Sequence, residues 1–292
     1  MGVTILAGQK AASRPRSEFV ELDAVVVDNN DRPVQGLRKE DFQIKEDGRP
    51  VTVTTFSEVS AAGISDRADG RSITLVLDDV GINPTGTQAI QGIARLFVSR
   101  ARPADDIAVV RLTHPDDEVT GDLQEALNRI AEYRSGAFPF FGRETYDNWL
   151  KTLANLAHQA EGQEHRHKLV VCIGAREICD LYLLDPEGSL LWSSWVNALG
   201  AAARANVSLY AVDPTGLSGR FDLGEGLVDR TGGESFVKSN NFQRAVDSVW
   251  DDASHYYLLG YTPAGRAREL HEIDVKVKRS GLHVRVRHRR GD

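Results

Sequence analysis

The sequence predicts an α/β protein in which a mostly parallel, helix-covered sheet is inserted into a small β-sandwich formed by the two ends of the chain. Short apolar runs alternate with amphipathic stretches in the middle of the chain, which is typical of a parallel sheet buried on both faces. Both ends instead alternate apolar and polar residues with the period of half-buried strands. Because each end is too short to bury a core alone, we expect the ends to pair. We therefore divide the chain into a leader or disordered segment (1–16), a first sandwich part (17–60), a linker (61–70), an α/β unit (71–254) and a second sandwich part (255–292).

The amino-terminal region carries two strand signals. An apolar run at residues 25–27 leads into a cluster of turn formers at residues 28–33. Farther on, Asp47 and Gly48 separate two runs of alternating polarity, which is a strong signal for a β-hairpin.

The α/β unit begins where the chain changes to buried apolar runs. Each run is followed by a stretch with helical spacing of apolar residues, and ligands of such sheets bind at the carboxyl ends of the strands. The predicted strands are residues 73–77, 107–110, 169–173 and 207–212, and the predicted helices are residues 87–102, 123–133, 146–160 and 190–205.

The carboxyl-terminal region predicts a strand at residues 256–261 and then a hairpin made of residues 273–277 and 282–286. One face of this hairpin is apolar and the other is basic. A basic face could bind nucleic acid or an anionic surface, but no aromatic residues for base stacking are interleaved with these charges. Strand edges also carry such charges to prevent edge-to-edge pairing. We therefore interpret the face as a solubility feature; it consists of Lys276, Lys278, Arg285, Arg287, Arg289 and Arg290.

The composition is that of a soluble globular protein, with 41% hydrophobic and 26% charged residues. The formal net charge of −7 argues against a nucleic-acid partner. No apolar run is long enough to predict a membrane span. The short apolar stretch at residues 1–8 lacks a preceding Lys or Arg, so it is a poor signal peptide. We expect Cys172 and Cys179 to be free thiols, the first in a buried strand.

Motifs for catalysis are missing from the sequence. It contains no GxSxG nucleophile motif and no GxxxxGK[ST] phosphate loop, and the glycines at residues 216–226 do not have the GxGxxG spacing. His114 lies beside three acidic residues, where we expect a solvated turn or, alternatively, the rim of a partner-binding surface. The sequence therefore predicts a non-enzymatic protein. The alternative is an unrecognised α/β hydrolase or nucleotide-binding enzyme with a deep polar pocket at the strand ends.

Several short motifs, taken in their order and spacing, resemble the bacterial VWFA-related (von Willebrand factor A-like) domain family first described in acidobacteria. The resemblance extends from about residue 19 to the end of the chain. It implies a Rossmann-like von Willebrand factor A fold and an exported, non-catalytic role, and it leaves the compartment and the ligand undefined. The motifs are Val25-Val26-Val27-Asp28, residues 32–37, Glu40-Asp41-Phe42, Glu46-Asp47-Gly48, Leu77-Asp78-Asp79, residues 209–213 with Gly216-Leu217, and residues 256–261.

The resemblance also implies a metal-ion-dependent adhesion site, in which an Asp-x-Ser-x-Ser loop and later Thr and Asp residues bind Mg²⁺ or Mn²⁺ through oxygen atoms. This chain keeps Asp78 at the first position. Val80 and Ile82 stand in place of the two serines, and Ile173 stands in place of the later aspartate. The expected site is therefore degenerate, and we expect no cofactor.

Two interpretations of the remaining oxygen donors stay open. In one, Asp78, Asp79, Asn83 and Thr145 form a functional Mg²⁺ or Mn²⁺ adhesion site by another route. In the other, Asp78 is a structural acid whose oxygens accept hydrogen bonds from backbone N–H groups of the following loop.

The expected function is adhesion-type binding of an unknown protein or surface ligand. The contacts are expected on three loops at the carboxyl ends of the strands, residues 78–83, 138–145 and 174–180. Three phenylalanines on the second loop are candidates for apolar anchors, and the alternative is that they fold back over the helix that follows. The candidate partner-binding residues are Phe138, Phe140, Phe141, Arg143 and Arg176.

Overall fold

The computed structural model describes residues 20–60, 70–80, 82, 84–114, 117, 119, 121–136, 143–161, 167–174, 190–218, 226–263, 271–287 and 289–290. The helices are α1 (Thr87–Val98), α2 (Leu123–Glu132), α3 (Arg143–Ala160), α4 (Leu190–Ala205), α5 (Leu227–Arg230) and α6 (Phe242–Asp252). The strands are β1 (Val20–Asp28), β2 (Phe42–Glu46), β3 (Arg49–Val51), β4 (Val53–Val59), β5 (Arg71–Leu77), β6 (Asp106–Arg111), β7 (His167–Ile173), β8 (Val207–Val212), β9 (Ser235–Phe236), β10 (Tyr256–Tyr261), β11 (His271–Val277), β12 (Leu282–Arg285) and β13 (Arg289–Arg290).

A five-stranded parallel sheet forms the centre of the α/β unit, in the order β6-β5-β7-β8-β9. The four strands predicted in this unit are all present, because continuous apolar runs suit strands covered on both faces. Cys172, predicted to lie in such a strand, is buried in β7. The unit is a Rossmann-like arrangement of a parallel sheet and flanking helices.

Helices cover both faces of this sheet. Helices α3, α4 and α5 pack on one face, where Trp149 and Trp195 are the largest buried side chains. Helices α1, α2 and α6 pack on the other face around Phe97 and Trp250. Helix α6 is absent from the predicted elements, although its buried residues recur at helical spacing.

Two four-stranded antiparallel sheets contain strands from both ends of the chain. Their orders are β12-β1-β10-β4 and β13-β11-β2-β3. The predicted hairpin at Asp47 and Gly48 is confirmed as β2 paired with β3, and both turn residues have positive φ angles of 49° and 75°. Side chains from both sheets, including Phe42, Tyr257 and Ile273, join one hydrophobic cluster.

The predicted hairpin between residues 273–277 and 282–286 is wrong. Strand β11 pairs with β2 and β13, whereas β12 pairs with β1 in the other antiparallel sheet. Alternation of polarity predicts a half-buried strand, but it does not identify the strand's partner.

The predicted single basic face is also wrong. The side chain of Arg285 is largely buried and forms ion pairs with Asp252 and Glu234. Arg287 donates hydrogen bonds to the carbonyl oxygen of Ala203 and to Oδ1 of Asn206. These two arginines therefore join the antiparallel sheet that contains β12 to the α/β unit.

Within the described parts of the chain, no helix combines the length and the apolar character that a membrane-spanning helix needs.

Candidate functional site at the carboxyl ends of the parallel strands

The carboxyl ends of four parallel strands lie side by side. In the register of the sheet, Leu77 is level with Arg111 and Ile173, and Ile173 is level with Val212. Residues that follow these strand ends therefore meet at one end of the unit, which we call the crest. The described crest residues are 78–80, 82, 112–114, 133–136, 174 and 213–218.

Asp78, the first predicted metal ligand, is only 1% exposed. Its Oδ1 accepts a hydrogen bond from the backbone N–H of Val80 at 3.0 Å, and its own N–H donates to the carbonyl oxygen of Ile173 at 3.1 Å. The hydroxyl of Tyr133 donates to the carbonyl oxygen of Asp78. This geometry agrees with the interpretation of Asp78 as a structural acid of the loop.

Two apolar residues stand beside Asp78 at the positions that the family pattern gives to serine. Val80 and Ile82 are both buried, and they pack into the hydrophobic clusters on opposite faces of the parallel sheet. Their side chains offer no oxygen donor, and their burial contributes to the core.

Asp79 forms a small polar cluster with the end of β6. Its Oδ1 accepts from the backbone N–H of Thr113 at 3.1 Å, and its Oδ2 accepts from the Thr113 hydroxyl at 2.6 Å. Nδ1 of His114 lies 3.1 Å from Oδ2. The sequence analysis did not connect these residues, because only the adjacency of β5 and β6 brings them together.

Tyr133 stays a neutral hydrogen-bond donor beneath the crest. Burial, together with the negative charges of Asp78 and Asp79, raises the pKa of its hydroxyl well above the ordinary value. The hydroxyl therefore holds the Asp78 loop at all ordinary pH values.

Asp213 and Leu217 belong to a motif of the family resemblance but were not predicted as site residues, and they occupy the crest after β8. The buried Asp213 carboxylate accepts from the N–H of Thr215 at 2.8 Å and from its hydroxyl at 2.6 Å. The turn that follows presents Leu217 with 70% of its surface exposed. Asn240 fixes this turn, since its Oδ1 accepts from the N–H of Leu217 at 3.1 Å and leaves no room for a side chain at Gly216, whose φ is +62°. An exposed leucine on a fixed turn offers apolar surface that a partner could bury.

A cavity of about 630 Å³, lined by both charged and apolar side chains, lies between the crest, the outer edge of β6 and α2. Four of its charged side chains form two pairs, Arg111 with Asp117 at 3.2 Å and Arg129 with Glu125 at 2.8 Å. Arg129 also donates to the carbonyl oxygen of Val109 at 2.9 Å, and Asp117 accepts from the N–H of Arg111 at 3.1 Å. These contacts satisfy backbone groups along the edge strand and so block its pairing with another strand. Although burial alone would raise it, the hydrogen bonds from Arg111 lower the pKa of Asp117.

Several predicted site residues cannot be placed. Asn83, Phe138, Phe140, Phe141 and Arg176 lie outside the described residues, as does Cys179. Arg143 begins α3, and Thr145 lies in the first turn of that helix, partly exposed.

The described donors fit a divalent ion poorly. Asp78 and Asp79 are the described carboxylates of the predicted site, and hydrogen bonds within the protein engage both of them. Over the part of the chain that the structure describes, no three His, Cys, Asp or Glu residues form a group suited to a metal.

Comparisons with protein-family models and with curated proteins find no match. Among solved structures, the PilB minor pilin from Streptococcus sanguinis is 10% identical, with a TM-score of 0.38 over 63% of this chain and 62% of the pilin. A mutant of that pilin gives a TM-score of 0.41 at 9% identity. The human COPII-coat protein Sec24c is 8% identical, with a TM-score of 0.38 over 81% of this chain and 46% of Sec24c. The chain thus spans less than two thirds of these proteins, and similarity at this level does not transfer a function to it.

Proposed function

We propose that the chain is a VWFA-related protein and that its α/β unit binds a protein partner through the crest, without catalysis and without a metal. The resemblance of the sequence motifs suggests the family. The mixed α/β architecture, with the carboxyl ends of the strands gathered at one end, is compatible with a von Willebrand factor A domain. Export of the protein, which the resemblance implies, belongs to the same proposal.

The exposed Leu217 is the observation that carries this proposal. The polar groups of the crest are largely engaged inside the protein, since Asp78, Asp79 and Asp213 accept hydrogen bonds from their own loops. The chemistry that Leu217 offers to a partner is apolar burial on a fixed turn, and burying a leucine side chain contributes about 1.5–3 kcal/mol. The phenylalanines at 138, 140 and 141 are proposed to extend this apolar surface.

We further propose that the two antiparallel sheets form a small β-sandwich from which the α/β unit is inserted. Their common hydrophobic cluster supports this arrangement, because it draws buried residues from both sheets. The sandwich would then carry the binding unit at the end opposite the crest.

The proposal is tested by quantitative capture of partners from an extract of the native host, with EDTA present, comparing the unmodified chain with Leu217→Ser. We expect the variant to retain its folded spectrum and to lose most of the captured partner, corresponding to affinity about tenfold weaker. A triple variant, with Phe138, Phe140 and Phe141 changed to serine, is expected to weaken the same partner.

Leu123→Ser is the matched control. Leu123 is also an exposed leucine, at 45%, but it begins α2 close to Gly121, which packs against Asp106 at the start of β6. It therefore lies at the other end of the sheet from the crest. Equal capture by the Leu217 and Leu123 variants would contradict the proposed binding surface, and dependence of capture on Mg²⁺ would contradict its independence of metal.

The cavity beside β6, with its charged side chains, is the observation that favours the enzymatic alternative, because that alternative predicts a deep polar pocket at the strand ends. If this cavity were catalytic, the Arg111→Ala variant would keep its fold and lose enzymatic turnover. The paired charges in the cavity support a structural role instead, and on that account Arg111→Ala leaves partner capture unchanged.

A further inference from the structure

The amino ends of the parallel strands meet the antiparallel sheet β12-β1-β10-β4 along a buried seam, at the opposite end from the crest. His167 is the first residue of β7, and its ring lies 4.5 Å, centroid to centroid, from the ring of Tyr256 at the start of β10. Asp23 of β1 is buried beside it. Three strands from two sheets therefore meet at one acid and one histidine.

Asp23 is an unusual carboxyl because, among the described residues, no donor lies in hydrogen-bond geometry with either of its oxygens. The side chain of Asn206 lies close enough to lower its pKa but does not reach that geometry. Nε2 of His167 lies 3.8 Å from Oδ2 of Asp23, which is beyond hydrogen-bond distance. The ring also bonds to the backbone of Asp252, and its Nδ1 has no partner among the described residues. A buried carboxylate without donors costs free energy, whereas a protonated carboxyl is neutral and has a hydrogen to donate.

The charged groups that face Asp23 do not neutralise it by direct contact. Lys168 of β7 and Arg287, which follows β12, are close enough to act through their charges, and Asn206 lies beside them. Lys168 donates from Nζ to the carbonyl oxygen of Ala205 at 3.2 Å, and Arg287 donates to Oδ1 of Asn206 at 2.9 Å. Both cations are thus engaged with other acceptors.

We propose that Asp23 and His167 form a proton-dependent latch, which closes the seam when the Asp23 carboxyl is protonated and loosens it when that carboxyl ionises. With His167 neutral, a protonated Asp23 carboxyl donates to the ring nitrogen that carries no hydrogen. The nearest atoms of the two side chains, Oδ2 and Nε2, need to approach by about 1 Å to reach ordinary hydrogen-bond distance. Such closure would draw β1 against β7 and fasten the antiparallel sheet to the α/β unit.

The direction of the pH dependence follows from the surroundings. Burial raises the pKa of Asp23 to about 6, against the opposing effects of Asn206, Arg287 and Lys168. In the unfolded chain the same carboxyl titrates at 3.8. Between these pH values the folded protein binds one proton more than the unfolded chain. The stability that this proton contributes is lost as the pH rises through that window. Burial also lowers the pKa of His167 to about 4, so the histidine stays neutral across most of the window.

A second buried carboxyl contributes its own pH dependence. Asp252 accepts two hydrogen bonds from Nη2 of Arg285, at 2.6 and 2.7 Å, and one from the hydroxyl of Tyr210 at 3.0 Å. Burial raises the pKa of Asp252 to about 7 despite the charge of Arg285, and Glu234 adds to that rise. The test must therefore compare variants and not the unmodified chain alone.

The test combines denaturant unfolding with hydrogen exchange of the full chain at about pH 5 and about pH 7.5. Relative to Asp23→Asn, the folding equilibrium constant of the unmodified chain is expected to fall about tenfold between the two pH values, which is about 1.4 kcal/mol. After correction for intrinsic rates, residues 20–28 and 167–173 should exchange faster at the higher pH in the unmodified chain and equally in the variant.

Asp274→Asn is the control, because Asp274 is a half-exposed strand carboxyl paired with Lys276. We expect the folding equilibrium constant of this variant to show the same pH dependence as that of the unmodified chain. The proposal is overturned if Asp23→Asn keeps the full pH dependence of the unmodified chain. Should that variant fail to fold, equal exchange of residues 20–28 in the unmodified chain at both pH values would overturn it as well.

Discussion

At the scale of the residue, the crest shows acidic side chains that stabilise loops. Asp78 follows β5 and Asp213 follows β8, and each is buried and accepts a backbone N–H two residues ahead. A carboxylate that satisfies such a donor shortens the turn after the strand and fixes its direction. The sequence predicted Asp78 at the end of a strand, and the neighbouring valine and isoleucine have no side-chain oxygen to offer a metal. It could not show that Asp79 meets Thr113, because that contact depends on strand order.

The close approach of Gly174 to Asp78 leads to a prediction at this scale. A Cβ atom at position 174 would lie 2.4 Å from Cβ and 2.9 Å from Oδ2 of Asp78. We expect Gly174→Ala to lower the free energy of unfolding by about 1–3 kcal/mol, as overpacking of a buried site does. Urea unfolding measures this change.

The control is Gly92→Ala, in the middle of α1, where a Cβ would meet nothing within 4 Å. That change should leave the stability unchanged or raise it by up to about 1 kcal/mol, because alanine favours the helix. If both variants lowered the free energy of unfolding by similar amounts, the close approach of Gly174 to Asp78 would not explain the effect.

At the scale of the element, the residues themselves explain which predictions succeed. The apolar runs of β5 to β8 are recognisable because a strand buried on both faces has few polar residues. Helix α6 was also recognisable, since Ala245, Val246, Val249 and Trp250 recur at helical spacing after a suitable cap at Asn241. The alternating runs at residues 273–277 and 282–286 correctly predicted two strands. They did not predict that the strands belong to different sheets, because alternating polarity does not identify the pairing partner.

The cap of α6 provides a prediction at this scale. Oδ1 of Asn241 accepts the backbone N–H of Arg244 at 3.1 Å and so satisfies a donor at the start of the helix. We expect Asn241→Ala to destabilise the protein by about 1 kcal/mol in thermal or urea unfolding. Gln243→Ala, at an exposed position in the first turn, should change stability by less than about 0.5 kcal/mol. Equal effects of the two substitutions would argue against the cap.

At the scale of the whole molecule, the two ends of the parallel sheet lie in different surroundings. The amino ends are buried against the antiparallel sheet, where Asp23 meets His167, and the carboxyl ends form the crest with its exposed leucine. The sequence predicts that both termini contribute to one β-structure, because neither is long enough to bury a core alone. It does not predict the seam, since buried acids and histidines look like surface residues until the sheets are placed together.

The claim on which this view of the molecule depends is that the crest uses its carboxylates for its own fold and not for a cation. Calorimetric titration of the full chain with Mg²⁺ and then Mn²⁺ tests it most directly, with Asp78→Asn titrated in parallel. We expect no binding tighter than about millimolar for either ion, and no difference between the two proteins, because a divalent ion needs several free oxygen donors in near-octahedral geometry. A micromolar isotherm that disappears in the Asp78→Asn protein would contradict the account.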